Sequence, residues 1–342
     1  MRGAVRPGWA APAALLCAVG CGPALPTGPD APGSLASGPG TASGGGPLVF
    51  TASPVDAAVL DFILPLGNLN PPDHTVPTDH IYFYIAAPDA GESFVTTRTA
   101  FFAPADGTVT MLLGAVGAES KIFVRATSTI SYYIDHIIPD VNVSPGTRLA
   151  AGQRLGTSGA AYAVDLGVIN TGLTLTGFAN PARYPSDTLH ADAPLKYYEE
   201  PLRSQLYAKV QRLGSELDGR IDLDVPGRLA GNWYVENGTN AVAFAYNTYD
   251  PAQVRISIGG ILATNGVFST GAVEPRPADV SVATGLVRYT LTRARTGLPL
   301  AFDTPSGSML VQMLTDTRMR AEVFAANSRA DAFTSSARTF IR

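Results

Sequence analysis

Between His74 and Val168 the chain reads His-Thr-Val-Pro-Thr-Asp-His (74–80), Ile-Tyr-Phe-Tyr-Ile (81–85), Ala-Pro-Ala-Asp-Gly-Thr-Val (103–109) and Lys-Ile-Phe-Val-Arg (121–125). It continues with Tyr-Tyr-Ile-Asp-His (132–136), Pro-Gly-Thr-Arg-Leu-Ala-Ala-Gly-Gln-Arg-Leu-Gly (145–156) and Val-Asp-Leu-Gly-Val (164–168). β-Branched and aromatic residues alternate in these short runs, and Gly, Pro, Asn and Asp separate them, which is the pattern of strands joined by tight turns. Three of the chain's four histidines, His74, His80 and His136, lie in this stretch. Imidazoles concentrated on neighbouring strands can converge on one sheet face.

Taken in order, these pieces resemble the lysostaphin/LytM-type zinc endopeptidases, which cut cell-wall peptide bridges. The resemblance implies a β-sheet domain carrying a His-X-X-X-Asp element, a His on a Tyr-X-His strand and a His-X-His pair. Two of those His and the Asp hold zinc, and the open fourth position takes the attacking water. The other two His polarise that water or stabilise the oxyanion. The Pro-Gly-X-X-Leu-X-X-Gly-Gln-X-Leu-Gly turn at 145–156, which follows the family's Tyr-X-His strand, is the most specific part of the match.

The zinc set carries over only in part. In one register His80 takes the first position, because His80 to Pro88 resembles His-X-X-X-Asp-Ile-Ala-Ala-Pro, and Tyr84 then stands where the Asp belongs. In another register His74 comes first with Asp79 or His80 as second ligand, at a spacing longer by one or two residues. His136 matches the Tyr-X-His strand. Asp165-Leu166-Gly167-Val168 falls where His-Leu-His-Phe is expected, so Asp165 replaces the first His and Gly167 the second; a shift of two residues makes Asp165 the ligand instead. The resemblance thus gives His74, His80 and Asp165 as metal-ligand candidates for zinc and His136 as the catalytic candidate. Imidazole and carboxylate suit zinc and related ions. The competing reading is of hydrogen-bonded relics in a sheet that holds no metal.

Outward toward the N-terminus, Arg2 and Arg6 precede an apolar run from Trp9 to Val19 that ends in Ala18-Val19-Gly20-Cys21. The run is shorter than the roughly 18 residues a membrane span requires, so 1–20 reads as a secretory signal. Ala-Val-Gly-Cys resembles a bacterial lipobox, with Ala18 where Leu is usual, and implies lipidation at Cys21. Cleavage there removes Cys17 and leaves no thiol pair for a disulfide. Residues 21–47 are almost entirely Gly, Pro, Ala, Ser and Thr and read as a flexible tether.

Outward toward the C-terminus, 48–177 is the peptidase-like segment and 178–220 a connector. Leu202, Leu206, Val210, Leu213 and Leu217 share one face of a helix starting near Pro201. His190 is expected to cap or pack near the start of this helix, and Glu216, Asp222 and Asp224 to form a solvated cluster. From 221 to 342 the alternating runs 254–258, 285–293, 309–314 and 318–324 predict an antiparallel barrel or sandwich. Gly231-Asn232-Trp233 resembles the Gly-X-Trp of lipocalin-type barrels, and a Trp plugging one barrel end is its structural meaning. The fold class is mostly β: sheet domain, short helical connector, C-terminal β domain.

With 342 residues, 46% apolar and 15% charged, and a formal net charge of −4, the chain can build two cores. It offers no basic surface for nucleic acid. No phosphate-binding loop with its Lys is present, and Ser158 belongs to no nucleophile motif. Two functions remain: a metal-dependent hydrolase of cell-wall peptides or another envelope polymer, or an inactive peptidase fold that binds peptidoglycan or a partner protein. Either sits in the bacterial cell envelope, periplasmic or surface-exposed, held to a membrane by its N-terminal lipid.

Overall fold

The computed structural model describes residues 47–85, 98–115, 117–159, 163–294, 302–328 and 330–342. The signal, Cys21 and nearly all of the tether lie outside the described residues. What is described lies within one compact unit, Pro39–Arg342.

Its first part is a ten-stranded sheet built from β1 (Leu60–Leu64), β2 (Ile81–Ile85), β3 (Ala100–Phe102), β4 (Gly107–Gly114), β5 (Ser120–Arg125), β6 (Ile130–Pro139), β7 (Arg148–Leu149), β8 (Arg154–Ser158), β9 (Ala163–Asn170) and β10 (Ala191–Asp192). The main path runs β1-β2-β9-β6-β5-β4-β7, with β10 on β9, β8 on β6 and β3 on β8. Strict alternation sends Ile81, Phe83 and Ile85, Ile122 and Val124, Tyr132 and Ile134, and Val164, Leu166 and Val168 into one core. Their neighbours, Tyr82, Lys121, Tyr133, Asp135 and Asp165, therefore share the opposite face. The two turn motifs meet each other: Ala151 N donates to Asp106 Oδ1 at 2.8 Å, and Gly107 and Thr108 pair with Leu149 and Arg148.

The alternation breaks at one place that matters. Ile134 pairs with Ile122 and Ile137 with Ser120, so Asp135 and His136 together oppose the single residue Lys121. This is a β-bulge, and His136 adopts φ +64 within it. Ile137 resumes the core face, so the extra residue turns His136 to the same side as Asp135. There too β6 changes partners, leaving β9 after Asp135↔Asp165 and taking up β8 at Ile137↔Ser158.

The connector departs from expectation in two ways. Short helix α1 (Ser186–Leu189) precedes α2 (Leu202–Tyr207), and the helix expected to reach Leu217 stops at α2. Beyond it, Lys209 O accepts from Ile63 N and Gln211 N donates to Ile63 O, each at 2.9 Å. The open edge of β1 thus draws this segment into strand-like pairing, and Leu213 is left exposed. The solvated acid cluster is also corrected. Asp222 and Asp224 are buried, because their carboxylates accept from Gly177 N (2.8 Å), Ala179 N (2.8 Å) and Asn232 N (2.7 Å) and tie three segments together. Only Glu216 stays at the surface, paired with Arg212.

The second part is a closed antiparallel barrel of β11 (Gly231–Val235), β12 (Ala241–Tyr246), β13 (Val254–Ile258), β14 (Gly266–Ser269), β15 (Leu286–Ala294), β16 (Phe302–Thr315), β17 (Arg318–Ala325) and β18 (Arg338–Ile341), each paired with the next and β18 with β11. Phe244, Ile256, Phe268, Tyr289, Met309 and Phe340 are among the side chains that fill its interior. Trp233 is fully buried where β11 begins, its Nε1 donating to Leu229 O at 2.8 Å. The Arg342 guanidinium lies 4.2 Å from its ring centroid, an arrangement that closes this barrel end as the Trp plug predicts. On the outer wall Ala243 and Ala245 pack against Leu69, and Thr248 Oγ1 donates to Gly67 O at 2.8 Å, joining barrel to sheet.

Candidate metal centre

The polar face of the sheet gathers all four sequence-derived candidates other than Cys21. Asp165 on β9 is the centre, almost wholly buried between its cross-strand neighbours Tyr82 and Asp135. Its Oδ2 lies 3.2 Å from His80 Nε2 and 3.5 Å from His136 Nε2. Its Oδ1 is buried with no hydrogen-bond partner. His74, brought in by the pairing of Asn70 with His74, stands edge-on to His80 with ring centroids 5.4 Å apart.

The far nitrogen of each central imidazole faces a carboxylate. His80 Nδ1 is 3.1 Å from Asp79 Oδ1, and His136 Nδ1 is 3.3 Å from Glu119 Oε2. Carboxylates there hold the proton on Nδ1 and turn Nε2 toward Asp165, the support that metal-binding histidines receive. Asp79 is itself fixed: Tyr133 Oη donates to Oδ1 at 3.0 Å and Thr188 Oγ1, from α1, donates to Oδ2 at 2.6 Å. Tyr82 Oη lies 3.0 Å from His80 Nε2. Lys121 Nζ sits 3.7 Å from the centroid of the Tyr133 ring and 3.8 Å from Asp135 Oδ2.

Protonation follows from this packing. Burial, then the charge of His80, pushes the His74 imidazole down to about 4, so it is neutral at pH 7. Burial opposes charge on Asp79, but the hydrogen bond and charge of His80, with Thr188, hold its carboxyl well below the usual range. Burial likewise opposes charge on His80 and His136, yet Asp165 with Asp79 raises the first, and Asp165 with Asp135 and Glu119 raises the second. Burial also raises Asp165 against the pull of both imidazoles. His80, His136 and Asp165 thus bind protons more tightly than they would apart, whereas His74 and Asp79 bind them less tightly.

The donor set suits a divalent metal. Tetrahedral zinc with bonds of about 2.0–2.1 Å places its donor atoms roughly 3.3–3.4 Å apart, and the His80–Asp165 and His136–Asp165 separations of 3.2 and 3.5 Å bracket that spacing. Ligand atoms of Asp135, His136 and Asp165 all lie within 4.8 Å of one another, while His80 touches this group through Asp165 and is not part of it. Among the sequence alternatives, Tyr84 takes no part, since it stacks on Phe62 at 4.3 Å, and Asp79 supports His80 from behind. Gly167 offers no ligand because the Tyr133 ring occupies the space beside it.

His190 stays apart, packed at the end of α1 with Nδ1 against Leu173 O. Ser158 is a buried acceptor for Thr99 N at 3.0 Å. Sequence reading missed Tyr82, Tyr133, Asp135, Glu119 and Thr188. Alternation with Asp165 would have supplied the two tyrosines; Asp135 needs the cross-strand register, and Glu119 and Thr188 arrive only through tertiary contact.

No protein-family model and no curated protein matches this chain. Solved structures similar to it include a zinc-containing peptidase from Vibrio cholerae, at 18% identity over 43% of this chain and 41% of that one, with a TM-score of 0.29. LytU is similar at 15% identity over 43% of this chain and 86% of its own, with a TM-score of 0.26. Pseudoalterin, an M23 metalloprotease from the deep sea, is similar at 13% identity over 44% and 87%, with a TM-score of 0.27. This chain thus spans less than half the length of the Vibrio peptidase. All three TM-scores lie below 0.5, and no residue role is carried over from these proteins.

Proposed function

We propose that this protein is a lipid-anchored protein of the bacterial cell envelope whose sheet holds a zinc ion on Asp135, His136 and Asp165, with His80 against Asp165, and hydrolyses cell-wall peptides. The observation that carries this reading is the pair of imidazoles backed by carboxylates at Nδ1 and turned by Nε2 toward one buried carboxylate. Zinc held there would supply a Lewis acid for the peptide carbonyl and lower the pKa of a bound water. The chain's own residues do the rest. Asp79 and Glu119 orient the imidazoles, Tyr133 and Thr188 hold Asp79, and His74 stands neutral beside His80. His136, partly exposed in its bulge, faces the entering substrate. The lipid on Cys21 and the tether behind it would keep the sheet within reach of peptidoglycan.

Metal content of the full chain, beside His80→Ala and His136→Ala, tests the site. About one zinc per chain, lost in both variants, followed by release of peptides from purified sacculi, is the expected result. A parent chain that takes up no zinc when it is supplied would sink the hydrolase reading. A second reading has its own observation: Asp165 lies at hydrogen-bond distance from two imidazoles whose protonation it favours, so the cluster can close as an ion-paired network. In that case the sheet is a peptidoglycan- or protein-binding scaffold, and sacculi would retain the protein without being cut. Incorporation of labelled fatty acid that is lost in Cys21→Ser tests the anchor.

A further inference from the structure

Lys121 on β5 stands across from the bulge, opposed by Asp135 and His136 together. Its ammonium is carried over the site's face of the sheet by aromatic rings: Nζ lies 3.7 Å from the Tyr133 ring centroid and 5.5 Å from that of Phe123. A cation over a ring face is held by the ring's charge distribution and needs no hydrogen bond there. Its ion pair is with Asp135, Nζ to Oδ2 at 3.8 Å. That separation offsets charge but exceeds hydrogen-bond length. The two side chains are 26% and 28% exposed, so the ammonium has a way out into water.

Asp135 has one oxygen to offer an ion. Its Oδ1 already accepts from His136 N at 2.8 Å within the bulge, which leaves the Oδ2 that faces Lys121. Asp165 holds the matching half of the arrangement, a buried Oδ1 with no hydrogen-bond partner. Behind burial and the charges of His80, His136 and Asp135, the charge of Lys121 also acts on Asp165, in the sense that favours its carboxylate. One ammonium therefore serves two of the three residues whose ligand atoms lie within 4.8 Å of one another. A divalent ion taken up by them would meet that positive charge at close quarters, where a half-buried setting makes the repulsion stronger than in water.

We propose that Lys121 is a built-in counter-ion of the metal centre, which competes with the divalent ion for Asp135 Oδ2 and so sets the concentration at which the ion is taken up. The flexible four-carbon stem lets the ammonium leave Asp135 for water when the ion arrives, and the Tyr133 ring gives it a place to return. This role rests on the zinc site of Asp135, His136 and Asp165, and adds that the chain's own lysine weakens that site.

Calorimetric titration of the metal-free full chain with zinc chloride, beside Lys121→Met, Lys121→Gln and Lys121→Arg, tests the role. The parent should bind one zinc, and the methionine and glutamine variants, which lose the charge, should bind it about tenfold or more tightly. Lys121→Arg keeps the charge and should bind as the parent does or more weakly. A thermal melt of each metal-free variant checks folding, and the glutamine variant carries the test should the methionine variant not fold. Equal affinity in parent and charge-free variants, weaker binding in those variants, or equal tightening in Lys121→Arg would overturn the role and leave the zinc site standing. Uptake by Lys121→Met but not by the parent would sink the hydrolase reading and uphold the lysine as the cation in the metal's place. No uptake by any of the four chains would overturn both.

Discussion

Tyr133 and Gly167 face each other across β6 and β9, and the tyrosine ring fills the space a side chain at 167 would need: an added Cβ there falls 2.1 Å from the ring's Cζ. Tyr133 reaches over Gly167 to donate to Asp79 at 3.0 Å. A ring above a glycine thus buttresses the carboxylate that orients His80.

Gly167→Ala should therefore destabilise the chain by about 1–3 kcal/mol, the usual cost of overpacking. In a Tyr133→Ala background the same change should cost much less, because the space is open. Urea unfolding of both single variants and the double variant gives the coupling. Equal effects of Gly167→Ala in the two backgrounds would show that the ring does not govern this position.

His136 sits at φ +64, a conformation that costs a non-glycine residue about 1–2 kcal/mol. His136→Gly should be more stable than His136→Ala by about 1 kcal/mol, although glycine ordinarily weakens a strand relative to alanine. Both should lose zinc alike if the proposed site is right. Thermal melting of the two variants checks the backbone part, and the reverse order would argue against the bulge.

For His74 the sign runs toward acid lability. Its folded pKa lies at about 4 against an ordinary value of 6.5, so between these values the unfolded chain takes up a proton that the folded chain refuses. Stability attributable to this group is full above the unfolded value and falls as pH drops toward 4. From pH 7 to pH 5 the loss is about 2 kcal/mol. Replacing His74 with Gln should remove that part of the pH dependence, seen as a smaller loss than the parent's in urea unfolding at the two pH values. His80 and His136 work in the opposite direction, so the comparison must be between variant and parent at each pH.

Arg342 joins the Trp233 ring to backbone carbonyls of Ala230, Val225 and Arg228. Arg342→Met keeps the length of the side chain but removes its donors and its charge, leaving buried carbonyls unsatisfied. A loss of about 2–4 kcal/mol is expected, read from the melting temperature, with a red shift of Trp233 fluorescence as the barrel end loosens. A variant as stable as the parent would mean that this end is closed by other contacts.

Period-two alternation in Ile81–Ile85 and Lys121–Arg125 was enough to name strands, but that Asp165 shares a face with Tyr82 came only with the register of β2 on β9. The runs after Val254 announced an antiparallel barrel or sandwich, because each strand pairs with its sequence neighbour and the information is local; that it closes as a barrel was decided by the pairing of β11 with β18. The helix beyond Tyr207 was misjudged for the complementary reason. An apolar spacing of four, four, three and four is compatible with a helix, but Ile63, far away in sequence, offered hydrogen bonds that the segment took instead.

His74, His80, His136 and Asp165 were legible as residue types carried on strands and turns, and the sequence alone determined that imidazole and carboxylate would be concentrated on one sheet. Tertiary structure decided which of them meet. The bulge at Asp135–His136 depends on two residues opposing Lys121, and the carboxylates behind the imidazoles come from Asp79 and from Glu119 in the turn before β5. Register, bulges and the partners of buried polar groups are set by pairing between distant segments, where one residue of slip turns a side chain from the core to the site.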